Sequence, residues 1–347
     1  MSLPVCFISN VNFVADNHFC IQMEKMNIVI VHDSRLPVSK YGGIERVIWY
    51  LGKEFVKMGH QVTYLVKSGS VCPFANVKTL DKQRPISRQI PENTDLVNFH
   101  FQPEEPVPYP FLVSIHGNLP AGTSFFRTTN FVSKNHAFRY GADAYVWNGL
   151  DWDDYGMPEL CKHDQYVHFL GKAAWRVKNV RGAIRMAAVN STEIKILGGT
   201  RINVKMGLRI TWSKWATFYG MVGGEEKCRL LKSSRGLIFP VLWHEPFGLA
   251  MIESLYFGCP VLGTRYGSLP EIITDETGYL SGSMQDLTNA FSSLDSYNRR
   301  LCHEYVVDKF NSKEMAKNYL RLYETVLNGR EINKKVPCYR PDRNVIP

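Results

Sequence analysis

The sequence predicts an α/β protein built from two Rossmann-like domains. Three observations carry this prediction. Short Ile/Val-rich runs alternate with helix-length amphipathic stretches from residue 26 onward. A second series of the same kind begins after Asp151. The chain of 347 residues is long enough for two domains of ordinary size.

The first series opens with MNIVIV (26–31), a short apolar run of the kind found in buried parallel strands. A Gly-containing loop comes next. Ile44 to Met58 then reads as a helix, with Val47, Ile48, Leu51 and Phe55 at helical spacing and Gly59 as its stop. QVTYLV (61–66) completes a strand–helix–strand unit. DLVNFHF (95–101), FLVSIHG (111–117), NFVSK (130–134) and AYVWNG (144–149) are read as further strands. The stretch 67–94 is short and irregular. In the second series, YVHFLG (166–171), EIKILGG (193–199), RGLIFPV (235–241) and CPVLGT (259–264) read as strands. Val180–Val189 and GLAMIESLYFG (248–258) read as helices, as does Ser312 to Leu327. The expected division is an appendage at 1–25, a first domain at 26–150, a second at 151–312, and a final helix and tail at 313–347 that cross back to the first domain. Residues 1–25 lack a basic start, and Asn10, Asn12, Asp16 and Asn17 interrupt their apolar stretch, which argues against a signal peptide.

Hydrophobic residues make up 45% and charged residues 21%, which fits a globular chain. No run of about 18 apolar residues suggests a membrane span. The net charge of +9 points to an anionic partner or surface. Nucleic acid is disfavoured, because no RNA-binding signature appears and the lysines are spread along the chain. The eight cysteines form no C-x-x-C pair and no zinc spacing, so free thiols in a reducing cytoplasm are expected. Asp151-Trp152-Asp153-Asp154 contains an Asp-x-Asp, but it lies at the domain junction. His163 and His168 have no third ligand at suitable spacing. No metal site and no cofactor are expected.

The block WHEPFGLAMIES (243–254) carries the chemistry. Pro246 suits a first helical turn, and Gly248 allows close approach of a ligand to the backbone. Free N–H groups at such a start attract phosphate oxygens. Glu245 and Glu253 can accept hydrogen bonds from hydroxyls of a sugar and a ribose. A capped surface helix with two solvated glutamates would have the same spacing.

EPFGLAMIE resembles the paired-glutamate signature of glycosyltransferase family 4, and SLYFGCPVLGTRYGSLPEIITDETGYL (254–280) resembles the family's adjoining turn, strand and glycine-proline-glutamate helix. HFLGKAAWRVKNV (168–180) is similar to the family's phosphate-binding segment, with Lys172 where arginine is usual, Lys178 at the family's lysine, and Arg176 nearby. Tyr41-Gly42-Gly43-Ile44-Glu45 resembles the family's Gly-Gly-x-Glu loop. His116 resembles its strand-end histidine, and Asn148-Gly149-Leu150-Asp151 its Asn-Gly-Val-Asp turn. The resemblance covers roughly 26–325 and is stronger in the second domain. It implies two domains facing each other across a cleft (the GT-B type) and retaining, metal-independent transfer. The donor would be a UDP- or GDP-sugar and the acceptor a saccharide or lipid-linked glycan. Catalytic roles would fall to His116, Lys172, Lys178 and Glu245. Donor binding would fall to Gly42, Gly43, Arg176, Gly199, Phe247, Gly248, Leu249 and Glu253. A sugar-nucleotide epimerase of the same architecture and a non-catalytic basic module are the competing readings. The basic residues Lys53, Lys57, Lys67, Lys78, Lys82, Arg84 and Arg88 suit either peripheral contact with the cytoplasmic face of a membrane or a solvated basic surface that aids solubility.

Overall fold

A computed structural model describes residues 24–38, 42–161, 163–203 and 209–341. Tyr41 of the Gly-Gly loop and nearly all of the 1–25 appendage lie outside these residues.

The first sheet contains β1 (Asn27–His32), β2 (Gln61–Val66), β3 (Asn76–Thr79), β4 (Leu96–Phe99), β5 (Phe111–Ile115) and β6 (Thr129–Phe131). All neighbours are parallel, in the order β3-β2-β1-β4-β5-β6. β1 runs up the middle, with Val29 opposite both Thr63 and Val97. Its run of apolar residues is buried on both faces, as a parallel sheet covered by helices requires. Helix α1 (Gly43–Lys57) crosses from β1 to β2, and α2 (Lys134–Arg139) comes after β6.

The second sheet repeats the pattern. It holds β7 (Tyr166–Leu170), β8 (Glu193–Leu197), β11 (Ala216–Phe218), β12 (Leu237–Phe239), β13 (Val261–Gly263) and β14 (Gly278–Leu280), in the order β11-β8-β7-β12-β13-β14. Helices α3 (Val180–Val189), α4 (Gly224–Lys232), α5 (Leu249–Tyr256) and α6 (Leu269–Ile272) carry four of its crossovers. The crossover from β8 to β11 differs. It carries a two-stranded antiparallel ladder, β9 (Ile202–Asn203) and β10 (Arg209–Ile210), where the other crossovers carry a helix. Helices α7 (Met284–Asn289), α8 (Arg299–Lys309) and α9 (Ser312–Leu327) follow β14.

The last helix packs on the first sheet. Its Met315, Tyr319 and Tyr323 share a core with Val47, Leu51, Phe55, Leu96 and Leu112, and Asn98 donates a 2.9 Å bond to the Tyr323 hydroxyl. Where the chain crosses between domains, Leu150 bridges Asn311.

The strand expected at 144–149 does not form. The chain touches β6 through a single bridge, Tyr145 to Phe131, and buries Val146 in the first core. Its alternating apolar residues plug a core instead of extending the sheet. β3 has no counterpart among the expected strands, because NVKT is mostly exposed and shows no apolar run.

Two histidines sit fully buried in the interior with their pKa values pushed by burial down to about 3, His136 and His168, and His116, pushed equally low, lies half-buried past the end of β5. The unfolded chain takes up these protons near pH 6.5 while the native state does not, so stability falls as pH drops from 6.5 toward 3. Unfolding free energies from urea titrations at pH 7.5 and 5.0 are expected to differ by up to about 2 kcal/mol for each fully buried imidazole, moving the midpoint with them. A midpoint unchanged at pH 5.0 would count against these neutral, buried imidazoles.

Candidate functional site

In an open α/β sheet, ligands collect at the carboxyl ends of the strands where the strand order reverses. The two sheets present these ends to each other. Between them lies a cavity of about 180 Å³, lined by Gly43, His116, Lys178, Glu245, Phe247, Gly248, Leu249 and Glu253 among others. Two helix starts meet here. A Cβ on Gly43, the first residue of α1, would lie 3.4 Å from the Leu249 side chain that opens α5. First-turn N–H groups have no carbonyl partner within their own helix, so both starts offer donors to an anion.

The local chain is shaped for this role by two glycines. Gly248 has φ +86° just before α5, and a Cβ there would meet the Glu245 side chain at 3.1 Å. Gly267 has φ +69°, and a Cβ there would lie 2.3 Å from the Glu245 backbone. That close approach lets Ser268 N–H donate to the Glu245 carbonyl at 2.9 Å, while the Ser268 hydroxyl donates to the Phe247 carbonyl at 2.6 Å. The turn 267–268 thus clamps the glutamate loop from behind.

Glu245 and Lys178 form a buried ion pair, with Nζ 2.5 Å from Oε2. The Trp243 indole donates to the same oxygen at 2.7 Å. The ammonium also lies 4.8 Å from the Trp243 ring centre and 5.4 Å from that of Phe239.

Glu253 is 2% exposed. Its Oε1 accepts from Arg46 at 2.5 Å, Lys227 at 2.5 Å and the Tyr155 hydroxyl at 2.7 Å. Burial alone would raise its pKa, but the charges of Arg46 and Lys227 outweigh it and hold the carboxyl well below the usual range. Arg46 belongs to α1, Lys227 to α4 and Glu253 to α5, so this cluster ties the two domains together. It also separates the cleft from a second cavity of about 330 Å³, lined by Trp49, Tyr50 and Tyr155, which shares Arg46 and Lys227 with the first.

His116 stands just past the end of β5. Its Nε2 is 2.8 Å from His100 Nδ1, and the two rings stack at 5.1 Å. Burial pushes its pKa down, so it stands neutral and able to exchange hydrogen bonds with hydroxyls.

The remaining residues read from the sequence lie outside the lining of the cleft. Lys172 sits with its ammonium 5.1 Å from the Trp175 ring centre, and Arg176 is exposed. Gly42 precedes α1 with its hydrogens turned to Val38 and Glu45, and a Cβ on Gly199 would press on Ala173 at 2.7 Å. Sequence reasoning missed Arg46, Tyr155 and Lys227. Arg46 directly succeeds the Gly-Gly-x-Glu residues, and that adjacency is the signal that could have found it. Tyr155 and Lys227 carry no local signal. Asp151, in the Asp-x-Asp segment, pairs with Lys53 at 2.8 Å. Among the described residues no group of three or more His, Cys, Asp or Glu side chains could hold a metal ion.

Residues 163–295 match the family model of glycosyl transferases group 1. That segment holds β7, α3, Glu245, Glu253 and most of the second sheet. A protein of the capsule region of Klebsiella pneumoniae, described as an uncharacterized 41.2 kDa protein, is 27% identical over 115 residues, 31% of this chain and 32% of that protein. The aligned stretch therefore spans about a third of that relative. The O-antigen chain mannosyltransferase C of Escherichia coli is 20% identical over 88% of this chain and all of its own length. In structure, the chain resembles AviGT4, a glycosyltransferase involved in avilamycin A biosynthesis, with a TM-score of 0.70 at 19% identity, covering 88% of this chain and 98% of that one. The architecture is the two-domain GT-B fold, and the likenesses support a glycosyltransferase. No helix among the described residues is long and apolar enough to cross a membrane.

Proposed function

We propose that this chain is a retaining, metal-independent glycosyltransferase of family 4. It moves a sugar from a UDP- or GDP-sugar to a saccharide or lipid-linked acceptor in surface glycan synthesis, on the cytoplasmic side. The observation that carries the reading is the convergence of two helix starts with the Lys178–Glu245 pair on one cleft. The name of the Escherichia coli relative supports the glycan role.

In this reading the diphosphate lies against the starts of α1 and α5. The acceptor oxygen attacks the anomeric carbon from the face that the diphosphate leaves. The bond from that carbon to the phosphate oxygen breaks, its electron pair goes to the oxygen, and the acceptor proton moves to the same oxygen. Lys178 and the N–H groups of the Gly248–Leu249 turn stabilise the charge that develops. Glu245 accepts from hydroxyls of the transferred sugar, and His116 bonds another. Glu253 takes the ribose. Lys172 and Arg176, on the loop after β7, reach the outer phosphate.

A thermal-shift series with UDP, GDP, ADP and their sugars tests the proposal. A nucleotide at 100 times its dissociation constant adds about 2.7 kcal/mol to native stability. Failure of every nucleotide to raise the melting temperature would count against it. Transfer is expected to persist in a chelator. Activity lost to a chelator and restored by manganese would overturn the metal-independent part of the reading.

A further inference from the structure

The crossover between β8 and β11, with its β9–β10 ladder, presents an unusual surface. Ile202 and Ile210 are cross-strand partners, so their side chains share one face of the ladder. The pairing continues one step further, with Thr211 N–H donating to the Arg201 carbonyl at 3.0 Å. Trp212 follows Ile210 by two residues, the spacing that returns a side chain to the same face of an extended chain. These side chains are 59%, 43% and 89% exposed. A fully presented indole beside two aliphatic side chains is more than the scattered single apolar residues that ordinary surfaces carry.

The segment is held firmly to the domain. The Arg201 guanidinium donates to the carbonyls of Thr211 (3.3 Å), Ser213 (3.1 Å) and Ala216. Its charge pattern is one-sided. From Thr200 to Gly224 the sequence carries Arg201, Lys205, Arg209 and Lys214 and no acidic residue. Lys214 is exposed next to Trp212. By contrast, the basic patch of the first domain is partly neutralised. Lys53 pairs with Asp151 and Asp154, Lys57 with Glu54 and Asp151, and Lys82 with Asp33.

We propose that the Ile202–Ile210–Trp212 face is a docking surface for an anionic phospholipid membrane. Trp and aliphatic side chains enter the boundary between headgroups and acyl chains, where an indole is apolar on its faces and polar at its N–H. The exposed Lys214 is drawn to the negative leaflet, an attraction that salt screens while leaving the apolar contribution intact. The chain-wide charge of +9 acts in the same direction. This inference concerns where the protein sits and stands whether or not the transfer reading holds.

Co-sedimentation of the full chain with vesicles tests it. Phosphatidylcholine vesicles with and without about one-third phosphatidylglycerol are compared at low and high salt. The expected result is binding to the anionic vesicles, weakened but not abolished by salt, and lowered at least tenfold in the I202S/I210S/W212S variant. Lys78→Glu/Lys82→Glu, in the first-domain patch, is expected to bind within a factor of two or three of the original chain. Trp212→Ser alone, a change at a fully exposed position, keeps the proposal testable should the triple variant misfold, and its melting temperature is expected to match the original. Three results would each overturn the proposal: no binding to anionic vesicles at low salt, equal binding to neutral ones, or full binding by a folded Trp212→Ser chain together with loss in the first-domain variant. A change in oligomeric state in the serine variants without loss of vesicle binding would assign the face to a second copy of the chain and overturn it as well.

Discussion

Replacing Lys178 with methionine is expected to lower sugar transfer by about 100-fold or more, the size of effect seen when one preorganised charge-stabilising donor is removed from an active site. The ammonium is placed by Glu245 Oε2 at 2.5 Å and faces the cleft between the two helix starts. Methionine keeps the length of the side chain against Trp243 and Phe239 but leaves the Glu245 carboxylate with only the indole donor. Loss of stability, about 3–5 kcal/mol for breaking a buried pair, has to be separated from loss of chemistry. The melting temperature of each variant, measured beside its turnover, does this; Glu245→Gln breaks the same pair from the other side while keeping acceptor and shape. The glutamine variant is expected to bind the free nucleoside diphosphate nearly as well as the original chain while turning over the sugar nucleotide poorly, since its partner is the sugar. Isothermal titration and turnover measured on both variants decide the point. Transfer by the methionine variant within threefold of the original would remove Lys178 from the chemistry.

The largest effect on folding is expected at Glu253. Alanine there strands Arg46 and Lys227, the latter buried in the second domain. Removing one member of such a buried cluster costs about 3–5 kcal/mol, which corresponds to a fall in melting temperature of about 6–20 °C for domains of this size. The acid limb of stability carries the same signature. The native pKa of Glu253 lies below its ordinary value of 4.5, so its contribution is complete above pH 4.5 and is lost as pH falls below that value. Glu253→Gln is expected to fall between the original and alanine, and to weaken binding of a free nucleoside diphosphate through the lost ribose contact. A melting temperature for Glu253→Ala within 2 °C of the original would show that the cluster does not hold the domains together.

Much of the architecture was legible because buried parallel strands write themselves as continuous apolar runs. MNIVIV, QVTYLV and YVHFL needed no partner to be recognised. The same rule misled at 144–149, where Val146 faces a core but the backbone leaves the sheet after one bridge. Short edge strands such as Asn76–Thr79 have too little buried surface to leave a pattern. At the site, the glutamates and glycines were visible because they crowd into one helix start. The cations that hold Glu253 were not, since Arg46 and Lys227 stand 207 and 26 positions from it and meet it only through the fold. Lys172 and Arg176 are neighbours of Lys178 in sequence but are not among the residues that line the cavity; the Lys172 ammonium stands 5.1 Å from the Trp175 ring centre and Arg176 is exposed.

The crossover from β8 to β11 has a consequence for motion. β11 is the last strand of its sheet, three residues long and paired on one side only. Among the described residues, the crossover from β8 carries a ladder of two rungs and no helix. Local opening requires few broken contacts where burial is slight and hydrogen bonds are few. Amide protons of β11 (Ala216–Phe218) are therefore expected to exchange with solvent before those of β7 and β12 at the centre of the same sheet, so that the edge of this sheet opens ahead of its middle.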